Sequence, residues 1–561
     1  AFILFRYADH LAAGLGIVFN PKGPPAEGAT DFLWLVLLAG FVKLGWDVAL
    51  AAALLNAAGS SLIVWLLCKL AMRHRTGFPE YGFALLAALC VPWIGGAHAG
   101  CDGFSAQLYC GLVALTFYVC TDEPALATRS APWLAFVLGL FRPDGVVIGG
   151  GFCALLLARV VRAPALRRIF VWQLAMVISL GLAYFVWRWR YFGELLPLPL
   201  YVKSRGGRLL PGLDENVRWL KHGTGPLPLF IASAGLVVAL VHKGFGLART
   251  RLLIYGVLPM LGLLVALAFA QQTQNVDFRF QAPVLTVLLV ATVALATELG
   301  ASGERVRVSS LVLCLAALAP ALYTGRVVWD IDYMDSFAVR FGQTLRHGSL
   351  ALTEAGRIAY WTDASVHDLV GLNTRDTALR PATVAYIEAL TPDVVMYHLA
   401  GTVELNELTV LGGSRESALL RIDPKSFPGA TTEKYQRYLR DLGSYDALDV
   451  PQHRVAAVTL SRYLARQPDF DVYALYYGGD FRHVFAFRRD RPYSASLARL
   501  VHDAARAPYV SYAQAKQLRH EPSACRFMRW LTERVGAPVL GLPAPPDCRT
   551  HTKAGNGSGG A

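Results

Sequence analysis

Charge is scarce in this chain. Only 17% of its 561 residues are Asp, Glu, Lys or Arg, against about 25% in an ordinary soluble domain. That shortage excludes a disordered, self-solvating polypeptide and argues against a wholly water-soluble one. Metal-type cysteine spacing is lacking too: none of the nine cysteines pairs at the short interval of a zinc ligand set. Cys68, Cys90, Cys101, Cys110, Cys120, Cys153 and Cys314 lie in or beside apolar stretches, where cysteine packs as a small hydrophobe. No signal peptide opens the chain. It starts at Ala1 in a stretch where Phe2, Ile3, Phe5 and Leu11 are interrupted by Arg6, Asp9 and His10, too polar to span a bilayer. An upstream segment is therefore expected.

What is abundant is apolar: 54% of residues are hydrophobic and mean hydropathy is +0.40. These residues crowd into blocks before about residue 325, at 48–72, 82–98, 104–121, 131–141, 145–161, 169–189, 226–244, 252–270, 280–299 and 308–324. The pattern predicts a polytopic helical membrane region with about ten spans over 1–325. The fourth and fifth blocks form a tight pair turning at Arg142-Pro143-Asp144-Gly145. Residues 326–554 alternate strand-like runs (Val394–Tyr397, Val472–Tyr477) with helical stretches at 431–443 and 495–506, which predicts a soluble α/β or α+β domain. That domain shows no catalytic triad and no phosphate-binding glycine loop. Residues 555–561 read as a linker or an appended tail.

The net charge of +13 raises the thought of nucleic acid. Its placement answers otherwise. Lys69, Arg73 and Arg75, then Arg162, Arg167 and Arg168, then Lys243, Arg249 and Arg251, then Arg305 and Arg307 all fall in loops on one side of the membrane. The positive-inside rule makes that side the cytoplasm. The N-terminal stretch, the loops at 190–225 and 271–279, and everything after 325 are then extracytoplasmic. Cys525 and Cys548 would share that oxidising compartment, which allows a disulfide between them. Polar residues recur on several of the outer loops, as they would where a polytopic enzyme gathers a site, and equally as wetted loops require.

The outer loops also carry a resemblance. Phe5-Arg6-Tyr7-Ala8-Asp9-His10-Leu11, Gly16-Ile17-Val18-Phe19-Asn20-Pro21 and Glu27-Gly28-Ala29-Thr30-Asp31-Phe32-Leu33-Trp34 resemble the first outer loop of a bacterial family of GT-C glycosyltransferases. Arg142-Pro143-Asp144-Gly145, Tyr191-Phe192-Gly193-Glu194-Leu195-Leu196-Pro197 with Tyr201 and Lys203, and Arg279-Phe280-Gln281-Ala282-Pro283 follow in the family's order. Gly356–Tyr360, Asp368–Asn373 and Pro392–Val395 extend it to about residue 400. The nearest named relatives are membrane arabinofuranosyltransferases, including the terminal β-1,2 type; others modify pilin or surface polysaccharide. The resemblance implies a polyprenyl-phosphate-linked sugar donor and transfer outside the cytoplasm to a glycan or protein acceptor. It places the family's acidic pair upstream of Ala1. Two departures stand out: Gly100-Cys101-Asp102-Gly103 replaces a GMET-type sequence, and Leu198 replaces an asparagine.

Such chemistry needs cations for the donor phosphate and a carboxylate near the acceptor hydroxyl. Lys203, Arg142 and Arg279 are the expected phosphate ligands. Each has an ordinary alternative as an interfacial anchor. Glu27, Asp9, Asp102 and Asp144 are the candidate acids, with Asp144 also placed to pair with Arg142. Tyr201, Arg6 and His98 are candidate substrate contacts. The first loop shows no DxD-type pair, so a divalent cation stays an open option rather than an indicated one. A transporter or flippase of lipid-linked glycans is the rival reading, although no internal repeat supports it.

Overall fold

A computed structural model describes residues 1–72, 103–121, 124–203, 210–222, 247–272, 275, 278–301, 331–398, 408–413, 417–427, 451–476 and 482–506, with 431, 433 and 436. The predicted blocks 82–98, 226–244 and 308–324 lie outside these residues, as do Cys525 and Cys548.

The first half is helical. It contains α1 (Phe2–Ala12), α2 (Phe32–Lys43), α3 (Val48–Met72), α4 (Ala106–Thr121), α5 (Pro124–Phe141) and α6 (Asp144–Val160). After these come α7 (Pro164–Phe192), α8 (Leu198–Lys203), α9 (Leu213–His222), α10 (Leu247–Ala268) and α11 (Ala282–Ala301). Among the described residues, three helices are long and apolar enough to cross a membrane: Val48–Leu70, Pro164–Phe192 and Thr250–Ala268. α7 makes the case most directly. Only 11% of its most apolar window is buried, and Val171, Trp172, Met176, Ile178, Leu182 and Phe185 face outward. A helix apolar around most of its middle and largely uncovered by protein is suited to a non-aqueous surround. Pro164 starts it at a position that needs no backbone donor, and Gly193 ends it in the left-handed region at φ +78°.

Two differences from the predicted blocks are local. α5 begins at Pro124 rather than 131; Thr128 and Ser130 lie inside it with their hydroxyls donating to the carbonyls of Ala125 and Leu126, which satisfies their polarity within the helix. α2 was not among the predicted blocks. Its 12 residues are too few for a span.

α3 and α4 approach closely at glycine. A Cβ on Gly59 would lie 2.4 Å from the Gln107 carbonyl oxygen and from Leu108 Cα, and one on Gly111 would lie 2.7 Å from the Gly59 oxygen. Small residues of this kind let membrane helices meet backbone to backbone. Gly59→Leu should force the pair apart at a cost of about 1–3 kcal/mol or more. The check is detergent-solubilised thermal unfolding beside Gly40→Leu, whose Cβ meets open space. Equal melting of the two variants would refute the close approach.

Among the described residues, the second half is built on a seven-stranded mixed sheet of order β2-β1-β3-β7-β6-β5-β4. Its strands are β1 (Ser349–Leu352), β2 (Ser365–Asp368), β3 (Val394–His398), β4 (Val410–Gly412), β5 (Leu419–Ile422), β6 (Phe470–Tyr476) and β7 (Arg482–Arg488). β1 runs parallel to both β2 and β3; the remaining pairs are antiparallel. Helices α12 (Ile331–Thr344), α13 (Arg357–Tyr360), α14 (Arg375–Leu379), α15 (Val384–Leu390), α16 (Pro451–Ala465) and α17 (Ser494–Arg506) accompany it. The strands expected at 394–397 and 472–477 and the helix at 495–506 are present; 431–443 is mostly outside the described residues. Alternate apolar side chains of the sheet feed two cores, one holding Leu350, Leu352 and Phe485, the other Ala351, Val395 and Leu460.

The two halves are joined by polar contacts rather than apolar ones alone. Arg6, in α1, donates to the carbonyls of Phe19 (2.6 Å), Thr362 (2.7 Å) and Ala359. Asn20 makes a reciprocal pair with the Val366 backbone, at 2.8 and 3.0 Å. Gly28 is pressed against the 368–373 loop, where a Cβ would meet Leu372 O at 2.7 Å. Asp368 shapes that loop by accepting from the backbone of Val370, Gly371 and Asn373 at 3.0, 3.2 and 3.0 Å.

Candidate functional site

The helix ends on the sheet-domain side enclose a cavity of about 110 Å³. Each wall comes from a different element. The loop before α2 supplies Gly28 to Asp31, the approach to α4 supplies Phe104 and Ser105, and the α5–α6 turn supplies Arg142. α8 supplies Pro199 and Lys203, the residues before α11 supply Arg279 and Phe280, and the sheet domain contributes Leu372.

All three expected phosphate ligands, Arg142, Lys203 and Arg279, therefore line one space. They converge on a single ring. The Phe280 centroid lies 5.1 Å from the Arg142 guanidinium, 5.6 Å from Lys203 Nζ and 5.2 Å from the Arg279 guanidinium. The aromatic face offsets part of the repulsion among them. Arg142 is further held by Asp144, at 3.0 and 2.9 Å, and by the Tyr109 ring at 4.8 Å. Arg279 lies over Phe104 at 3.4 Å.

Lys203 differs from the two arginines. Among the described residues no carboxylate comes within ion-pair distance of it. Burial, then the neighbouring Arg279 and Arg142, lower its ammonium to about 8, with Asp31 pulling the other way. Among the described residues, the cavity is lined by the cations of Arg142, Lys203 and Arg279 and by the carboxylate of Asp31, with Asp144 paired to Arg142. Convergent cations facing one space favour an anion there.

The other predicted residues are placed as follows. Asp144 is committed to the bidentate pair with Arg142. Glu27 lies off the cavity in a pair with Arg188, whose Nε donates at 2.7 Å; burial raises its carboxyl above the usual range against the pull of that pair. Asp9, in α1, is beside Tyr360, and burial raises it as well. Arg6 spends its guanidinium on the junction between the halves rather than on open space. Tyr201 is half-buried in α8 and is not among the cavity residues. His98 and Asp102 lie outside the described residues.

One acid was not singled out from the sequence. Asp31, the N-cap residue of α2, lines the cavity with its carboxylate accepting from Ser105 Oγ at 2.7 Å and Thr30 Oγ1 at 3.2 Å. In the sequence it looks like any helix-starting Asp. Only the convergence of α4, α8 and the α5–α6 turn beside it gives it a second role.

Comparison with known families bears on the sheet domain alone. Residues 333–474 match a family described as a domain of unknown function, DUF8728. The match covers well under half of the chain. No curated protein matches.

The matched segment contains a feature of its own. Among the described residues, one group of side chains could share a metal ion: Glu354, His398 and His453, with donor atoms within 4.8 Å of one another. Glu354 also accepts from His483 Nε2 at 3.1 Å. Burial works against the Glu354 charge, but His483, His398 and His453 outweigh it and hold the carboxyl at about 2. Burial keeps His398 neutral, down to about 3, despite Glu354. No metal-type group was expected here, because the four residues are scattered across 130 positions with no repeated interval.

Proposed function

We propose that the chain is a GT-C-type membrane glycosyltransferase. It moves a sugar, arabinofuranose as the leading candidate, from a polyprenyl-phosphate donor to a cell-surface glycan or glycoprotein on the extracytoplasmic face of a bacterial plasma membrane. The observation that carries this reading is the convergence of Arg142, Lys203 and Arg279 around one cavity at the helix ends. A phosphodiester is an anion that these three convergent cations could hold.

The chemistry follows from the charges. The acceptor hydroxyl oxygen forms a bond to the anomeric carbon, and the bond from that carbon to the phosphate oxygen breaks. The three cations take up the charge that develops on the leaving phosphate. The acceptor's proton passes to a carboxylate. Among the described residues, Asp31 is the acid best placed for that step.

Purified protein in nanodiscs, given labelled polyprenyl-phosphate arabinose and an arabinan acceptor, should transfer label to the acceptor. Movement of the lipid across the bilayer without transfer would replace the enzyme with a flippase. The topology has its own check. Lys425 is exposed in the sheet domain, so Lys425→Cys should react with an impermeant thiol reagent in intact cells. Reaction only after permeabilisation would place the sheet domain in the cytoplasm and sink the outer-face reading.

A further inference from the structure

The parallel pairing of β1 with β2 and β3 sends the C-terminal ends of all three strands to one edge of the sheet. β7, antiparallel to β3, starts at that same edge, and His483 is the register partner of His398. Glu354 follows β1 by two residues. α16 packs against this region and brings His453 in its first turn. Four separate chain segments thus deliver one carboxylate and three imidazoles to one place.

The arrangement is compact. The His398 and His453 rings stand 4.5 Å apart at 88°, and the His398 and His483 rings 4.6 Å apart at 38°. Glu354 contacts His398 through one oxygen and His483 through the other. His483 is 4% exposed and His398 12%, whereas Glu354 is 33% exposed. The group is therefore walled by protein on the histidine side and open on the glutamate side.

We infer that Glu354, His398 and His453 bind a divalent transition-metal ion of the zinc class, with His483 as the outer partner that orients Glu354. Two imidazoles and one carboxylate suit a borderline ion; calcium and magnesium prefer sets made wholly of oxygen. Three protein ligands with an open side is the arrangement that leaves a coordination position for water or a substrate oxygen. A second contact holding a ligating carboxylate is what such sites use to fix ligand geometry. The same sheet edge carries the 368–373 loop, whose Leu372 reaches the cavity between the halves. The ion would thus stand on the side of the sheet domain that faces the helices.

The inference does not depend on the glycosyltransferase reading, and its test needs no sugar substrate. The full chain in detergent is stripped with a chelator, dialysed, and titrated with Zn(II) alone against a chromophoric competitor. Wild type should bind one equivalent. Co(II) in its place should give the intense visible bands of a low-symmetry site. His453→Gln should weaken binding by at least about a hundredfold, and His483→Ala by about ten- to a hundredfold, the range for an outer partner. His453→Gln is the deciding variant because His453 is only half-buried at a helix start, and its folding is checked by the metal-free melting curve. Equal zinc affinity in wild type, His453→Gln and the His398→Ala/His453→Gln pair would overturn the site, as would wild type that binds no zinc.

Discussion

Lys203→Ala should lower donor affinity or turnover by roughly ten- to a hundredfold, the loss of one charge-assisted contact of about 1.5–3 kcal/mol. The same substitution should leave the melting temperature unchanged or raise it. The two readouts move differently because, among the described residues, no carboxylate pairs with the buried ammonium, while Arg279 and Arg142 repel it. Lys203→Arg should recover part of the activity, since charge survives but the planar fork sits differently on Phe280. A pH dependence follows with a defined sign. The ammonium titrates near 8 in the free protein, and a phosphodiester stays a monoanion across that range. Donor binding should therefore weaken as pH rises through about 8, and this limb should vanish in Lys203→Arg. Wild-type transfer by Lys203→Ala, with Arg142→Ala and Arg279→Ala inactive, would move the phosphate to the other two residues.

How much of this was legible in the sequence depends on where each residue stands. Arg142, Lys203 and Arg279 are conspicuous because each interrupts or ends an apolar stretch, and a cation at such a place is visible without any tertiary knowledge. α7 was legible as 169–189 because apolarity alone defines it; its real ends, Pro164 and Gly193, are set by backbone chemistry about four or five residues beyond the greasy core. The parallel β1–β3 pairing was not legible, since strand order depends on contacts between segments more than forty residues apart. Asp31 and Phe280 belong to the same class. A cap residue and an interfacial aromatic acquire meaning only once four helix ends meet. Glu354, His398, His453 and His483 are the extreme case, for their proximity is a product of sheet topology and of nothing in their spacing. Arg6 shows the converse error of emphasis: a polar residue in an outer loop suggested substrate, and the fold uses it to tie α1 to the sheet domain.

The largest stability effect should come from the Glu27–Arg188 pair. Both side chains are buried, at 8% and 6% exposure, and the guanidinium meets the carboxylate through two nitrogens. Its third nitrogen donates to the Leu195 carbonyl at 2.8 Å, and the Glu27 carbonyl accepts from Leu198 N at 3.2 Å. The pair therefore ties the loop that carries Asp31 to the end of α7 and to α8, which carries Lys203. Removing one partner leaves the other charge buried and unpaired, at a cost of about 3–5 kcal/mol. Glu27→Ala and Arg188→Ala should each melt well below wild type. Their transfer activity should fall as well, because Asp31 and Lys203 lose their common support. Replacing both with apolar residues of similar volume, Glu27→Leu with Arg188→Met, removes the stranded charge and should restore much of the stability. It should not restore the activity fully, since the bonds to Leu195 and to the loop are gone. Chemical or thermal unfolding of Glu27→Leu, Arg188→Met and the double variant forms a cycle that measures the coupling. A double variant as unstable as the sum of the singles would show that the two side chains act independently, and Glu27 would then lose its place as the residue that positions the cavity's two walls.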